Sequence, residues 1–189
     1  MDLATMTRAC AATGDVVAAV GADQHDLPTP CTEWTVRDLL NHLVGTLVLG
    51  RALLADAPPG PGAAAPGGLP PGDVLGDDPL AAYRTGAAAL LAAAAGDALS
   101  RPHATPLGEL PGTVLAGFTT LDIAVHGWDL ARATGQDAIL DAAVAAPVLA
   151  FARQALSDDM RAPRIGPAVP VGETAGVTDQ LVAFLGRTP

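Results

Sequence analysis

The sequence predicts an all-α fold, and three observations carry that expectation. Half of the residues are hydrophobic but only 3% are aromatic, so the apolar mass is Ala, Leu and Val, which suits helices packed on helices at close range. Apolar residues recur at helical spacing in six segments, each bounded by a capping residue, a glycine or a proline. No alternation of strand and helix patterns appears, and no glycine-rich phosphate loop, which disfavours nucleotide-binding folds.

In chain order, residues 2–21 suit a first helix, with Leu3, Met6, Cys10, Val17 and Val20 as a loose apolar stripe and Gly21 to close it. Pro28 and Pro30 forbid a regular helix in the polar stretch that follows, where His25 is expected to be exposed. Thr32 or Thr35 can cap a second helix, near 35–56, with Val36, Leu39, Leu40, Leu43, Val44 and Leu47 on its apolar face. His42 lies beside that face, either as a satisfied core histidine or as a ligand. Residues 58–76 are Pro-, Gly- and Ala-rich and read as a flexible connection, which either covers the mouth of a site or is inert. Asp78 followed by Pro79 opens a third helix near 79–96. Residues 100–111 hold Arg101, Pro102, His103 and Pro106 and read as a loop, with His103 solvated. The central helix spans 112–135 and stops at Gly135. A fifth is expected near 140–156 and a short last one over 177–185, with residues 158–175 too proline-rich for a helix.

The chain is one domain by length, residues 1–189. Its net charge is −10 and all ten cations are Arg, so no basic patch offers itself to nucleic acid. No apolar run reaches membrane-span length. Residues 1–20 carry Asp2, Arg8 and Asp15 and lack a secretory core, which predicts a cytoplasmic protein with Cys10 and Cys31 as reduced thiols rather than a bridge.

The central helix concentrates the chemistry. At 100° per residue, Phe118, Asp122, Val125, His126, Asp129 and Ala133 form one stripe, and Gly117, Ala124, Gly127 and Ala131 form a stripe of small residues opposite. A helix apolar on nearly every side is a buried one, and ionisable groups on it need a partner. A metal ion is one such partner; a local hydrogen-bonded pair is the other. His42, Asp122 and His126 are the candidate metal set: two ligands on one helix and a third on a neighbour, a donor set that suits Zn²⁺ or another first-row metal and leaves positions open. Asp129 is either an outer partner orienting His42 or His126, or pairs with Arg132 or Arg37. Trp34 and Trp128 are expected to pack in the core or at its rim, and Cys31 is an ordinary small residue or a thiolate at a helix entrance.

Pro28–Gly45 (PTPCTEWTVRDLLNHLVG) and Leu121–Asp137 (LDIAVHGWDLARATGQD) resemble the DinB-like superfamily, and most closely its branch similar to mycothiol-dependent maleylpyruvate isomerase. The ending, GPAVPV to GRTP, resembles small single-domain members of that branch. The resemblance implies a four-helix bundle with up-down-down-up connectivity, here with additional C-terminal helices. It implies a divalent metal, zinc in the first place, on His42, Asp122 and His126, with Asp122 standing where the family pattern usually has Glu. The isomerase proper carries a further C-terminal domain. The implied activity is a metal-dependent transferase or isomerase that uses a low-molecular-weight thiol such as mycothiol on a small electrophile, in a monomer or homodimer. The alternative is a non-catalytic bundle that holds a small molecule or partner without metal. Metal content separates the two.

Overall fold

The structure, a computed structural model, describes residues 1–105, 108–157, 161, 165–172 and 174–189. Six α-helices and one two-stranded hairpin are found among them: α1 (Leu3–Ala18), α2 (Val36–Leu54), α3 (Pro79–Ala93), β1 (Pro102–Thr105), β2 (Gly108–Pro111), α4 (Gly112–Thr134), α5 (Ala142–Ala155) and α6 (Val177–Phe184). The mostly helical fold is as the spacing predicts.

Local chemistry sets the boundaries. Asp2, Thr35, Asp78 and Asp141 each accept a backbone N–H in the first turn of α1, α2, α3 and α5. Thr35 and Asp38 form a reciprocal capping box, so Thr35 rather than Thr32 starts α2. Gly135 ends α4 in the left-handed region at φ 72°, where a side chain would be strained. α1 stops earlier than its pattern suggests, and Ala22–Gln24 form a short 3₁₀ turn.

α4 packs against both α1 and α2, α3 packs against the same two helices, α5 packs on α4 and α1, and α6 packs on α5. α1 and α4 run in the same direction: the Met1 ammonium donates to Thr113 O at one end, and Gln136 donates to Val16 O at the other. α2 runs against α4, with His42 beside Asp122 and Gly50 beside Thr119. The stripe of small residues does what its size allows. Thr13 of α1 sits so close to Gly127 that a Cβ there would lie 2.4 Å from its hydroxyl, and Gly117 is similarly covered by Phe151. Met6, Leu39, Leu43, Leu47, Tyr83, Leu90, Ile123 and Leu130 fill the core between these helices.

One expectation is corrected here. Residues 100–111 do not form a loop with a solvated histidine. Pro102 pairs with Pro111 and Thr105 with Gly108 in an antiparallel hairpin, and His103 is 1% exposed. The prolines sit at the first and last paired positions, where a missing N–H costs little, and residues 106–107 lie outside the described set. Residues 58–76 lie against the body of the fold. Ala64 N donates to Gly45 O, Val74 N donates to Asn41, and Ala64 and Leu75 are buried. Gly45 makes this possible, since a Cβ there would meet that of Ala64 at 2.8 Å. Of the proline-rich 158–175, residues 158–160, 162–164 and 173 lie outside the described residues. Among the described residues no helix is long and apolar enough to cross a membrane.

Candidate metal centre

α2 and α4 cross so that His42 faces Asp122 and His126, which are one turn apart on α4. A ligand atom from each of the three lies within 4.8 Å of the others. His42 Nε2 is 3.0 Å from Asp122 Oδ2, and His126 Nε2 is 3.2 Å from Asp122 Oδ1. The two imidazoles meet edge to face, with centroids 4.7 Å apart.

The outer hydrogen bonds fix which nitrogen points inward. His42 Nδ1 lies 2.8 Å from Gly68 O, and a carbonyl can only accept, so Nδ1 carries the hydrogen. His126 Nδ1 lies 2.9 Å from Asp129 Oδ2, and the same reasoning applies. Both Nε2 atoms therefore turn toward the Asp122 carboxylate. Thr46, one turn after His42, donates to Asp122 Oδ2 at 2.7 Å and holds that carboxylate in place. Three electron-rich groups aimed at one point need positive charge between them. Without an ion, protons must supply it. Burial opposes charge on both groups, yet the Asp122 carboxylate holds His126 well above the ordinary imidazole range, and the imidazoles of His126 and His42 hold Asp122 well below the carboxylate range. The His42 side chain is fully buried and that of His126 is 11% exposed, whereas Asp122 keeps 26% of its side chain open. The open side of the cluster is thus at Asp122.

Further residues frame the cluster. Trp34 lies over His42 and His126, at 4.7 and 5.9 Å between ring centroids. This places it at the site rather than merely in packing. Trp128 is buried in the core, under Arg132. Asp129 is fully buried and bonds to His126 and to Arg187; Arg37 pairs instead with Asp73. Burial pushes the Asp129 carboxyl up, but hydrogen bonds from His126 and Arg187 bring it down to about 2. Cys31 is half-buried, its Sγ 3.4 Å from Asp129 Oδ2 and 3.6 Å from His126 Nδ1. Both cysteines are free, and burial raises the Cys10 thiol to about 12. His25 is half-buried rather than exposed, and neither it nor His103 joins the cluster. A cavity of about 660 Å³ opens between α2 and α3, lined by Leu47, Arg51, Leu75 and Ala82 among others, and shares no residue with the cluster.

Three participants escaped the sequence reading. Thr46 follows His42 by four residues and could have been found from that spacing. Gly68 contributes only a carbonyl, and Arg187 is 58 residues from Asp129, so neither carries a local signal.

Residues 6–131 match the family model of the mycothiol maleylpyruvate isomerase N-terminal domain. The chain belongs to that family. It is a family of the DinB-like superfamily, as the two motifs suggest. Two uncharacterised proteins of Mycobacterium tuberculosis, one from each of two strains, are 39% identical to it over 92% of this chain and 90% of theirs. No solved structure matches the chain significantly. The span matched by the isomerase N-terminal domain model contains His42, Asp122, His126, Thr46, Trp34, Cys31 and Asp129, while Arg187 lies beyond it.

Proposed function

We propose that this chain is a metal-dependent protein of thiol chemistry, an S-transferase or isomerase that works with a mycothiol-type thiol on a small electrophile. The observation that carries the reading is the convergence of two Nε2 atoms and a carboxylate, with each Nδ1 already held by another acceptor. Catalytic and structural metal sites are commonly built this way, because the outer acceptor fixes the tautomer and makes the ligating nitrogen more basic. The set fits a divalent first-row ion such as zinc: His42, His126 and Asp122 would hold it, and three protein ligands leave a position for a further one.

When bound, the ion supplies Lewis acidity, which favours the ionised form of a thiol beside it at neutral pH. The protein's own residues do the rest. Asp129 and Gly68 keep the imidazoles turned inward, Thr46 fixes one oxygen of Asp122, and Trp34 shields the imidazole faces from water. The shared direction of α1 and α4, with α2 opposed, supports an up-down-down-up bundle over α1–α4. The packing of α5 on α4 and α1, and of α6 on α5, supports one domain over residues 1–189.

A second reading has its own observation. Among the described residues no buried side-chain nitrogen or oxygen lacks a partner, so the cluster also closes on protons alone, as a binding bundle without metal would require. Elemental analysis of the purified protein, saturated with Zn²⁺ and desalted, decides between them. The catalytic reading expects one tightly held ion per chain and consumption of a thiol in the presence of an electrophile panel. A protein that retains no ion has lost the basis for that chemistry, and the binding reading then stands.

A further inference from the structure

Two donor sets overlap at His126. The first is His42, Asp122 and His126; the second is Cys31, Asp129 and His126, whose ligand atoms also lie within 4.8 Å of one another. By donor type both could take a divalent ion, and a thiolate, an imidazole and a carboxylate make a good zinc set. The second set, however, is not open. The Arg187 guanidinium lies against it, with Nε 3.2 Å from Asp129 Oδ1 and Nη2 2.8 Å from Asp129 Oδ2 and 3.7 Å from Cys31 Sγ. Arg187 is itself fixed. Its Nη1 donates to Leu185 O at 2.9 Å, its backbone N–H donates to Val182 O, and only 13% of its side chain is exposed.

We infer that Arg187 is a positioning residue for the metal centre and the resident cation of the second donor set: it closes the Cys31 set to metal and directs His126 to the His42 set. This rests on the metal reading above. The physics is direct. A guanidinium keeps its charge at any working pH, and its fork matches both oxygens of one carboxylate. A divalent ion reaching for Cys31 and Asp129 would have to displace a charge already neutralising them. Held by Arg187, the Asp129 carboxyl faces His126 Nδ1, which leaves Nε2 of that ring for Asp122. All three guanidinium nitrogens are engaged with the protein, which argues for this role over capture of a free anion. Arg187 comes from the chain beyond residues 6–131, so membership of the family does not itself assign it.

The test uses full-length protein and Co²⁺ alone as the probe, in the parent, Arg187→Met, Arg187→Lys and the double variant Arg187→Met/Cys31→Ser. Affinity is read by chelator competition, and sulfur ligation by the near-ultraviolet charge-transfer band of thiolate-bound cobalt. The parent is expected to bind one ion without a sulfur band. Arg187→Met should lose about tenfold to a hundredfold in affinity, the usual range for an outer partner of a ligand, and gain a sulfur band that vanishes in the double variant. Arg187→Lys keeps the charge but not the fork, and should lose about tenfold in affinity without a sulfur band. Parent-like affinity and no sulfur band in Arg187→Met overturns the inference, as does a sulfur band in the parent. If Arg187→Met does not fold, Arg187→Lys decides, and parent-like affinity there overturns it. A parent that binds no Co²⁺ overturns the metal reading and this inference together; a parent that binds while the Arg187 variants match it overturns the inference alone.

Discussion

Two buried histidine clusters in this molecule use the same residue types and reach opposite ends. In one, His42 and His126 share Asp122; in the other, His103 shares Asp56 with Arg101. His103 Nδ1 faces Asp56 Oδ1 at 2.9 Å and Nε2 faces Ala98 O at 2.7 Å. Both ring nitrogens are taken up by these protein partners, so none is left for a ligand. Arg101 takes the other Asp56 oxygen, and Asp56 itself sits at a positive φ of 49° that Asp tolerates better than most residues. That cluster is a closed clasp between the end of α2 and the β1–β2 hairpin. Around Asp122 each histidine has one nitrogen held and one turned to a common centre, and the carboxylate is partly open. A histidine–carboxylate pair is therefore a structural clasp or a candidate site according to where the second ring nitrogen points, and that is decided by neighbours outside the pair.

The largest effect expected of this contrast is on metal binding. Asp122→Ala should lower zinc affinity by more than about a hundredfold, beyond what loss of an outer partner causes, with the helical circular-dichroism spectrum intact. Asp122→Glu should retain or strengthen binding. His103→Ala should leave metal stoichiometry at the parent value; a loss of metal in that variant would break the distinction between the clusters. The same His103→Ala change should instead cost about 2–3 kcal/mol in urea unfolding, because it empties a buried position and leaves Ala98 O without its partner.

The pH dependence of the metal-stripped protein should sharpen the contrast further. Asp129 has a folded carboxyl at about 2, below its unfolded value, so its contribution is present above about pH 4 and is lost as pH falls toward 2; the shift corresponds to about 2 kcal/mol. His126 is raised, so its contribution is complete below the unfolded imidazole value and is lost as pH rises through the folded one. Stability should therefore fall on both sides of a plateau between about pH 4 and 6.5. Asp56 is held low mainly by Arg101 and then by His103, and bears on the acid side only. Urea midpoints across pH for the parent and Asp129→Asn check this, with the acid limb flattened in the variant. The smallest effect is expected from Gly45→Ala. Its new methyl would meet Ala64 and displace the segment that brings the Gly68 carbonyl to His42. Metal affinity should drop about tenfold, the low end for an outer partner, as measured by chelator competition.

The sequence by itself determined the helices and half of the cluster. Caps, glycine stops and the 3.6-residue period act within a few residues, so Thr35, Asp78–Pro79 and Gly135 mark boundaries without knowledge of the rest of the chain. The same period places Asp122, His126 and Asp129 on one face of α4, and Thr46 one turn from His42. What only the tertiary structure decided are the partners that have no local signature. A backbone carbonyl such as Gly68 O is chemically the same at every residue, so only the path of 58–76 over α2 gives it a role. Arg187 looks like any terminal arginine until α6 brings it to Asp129, and His103 reads as a loop histidine until the hairpin buries it against Asp56. Which nitrogen of each imidazole faces the centre is set by those long-range contacts, because either of the two distinct ring nitrogens can carry the hydrogen, and the acceptor that the fold puts beside one of them decides which.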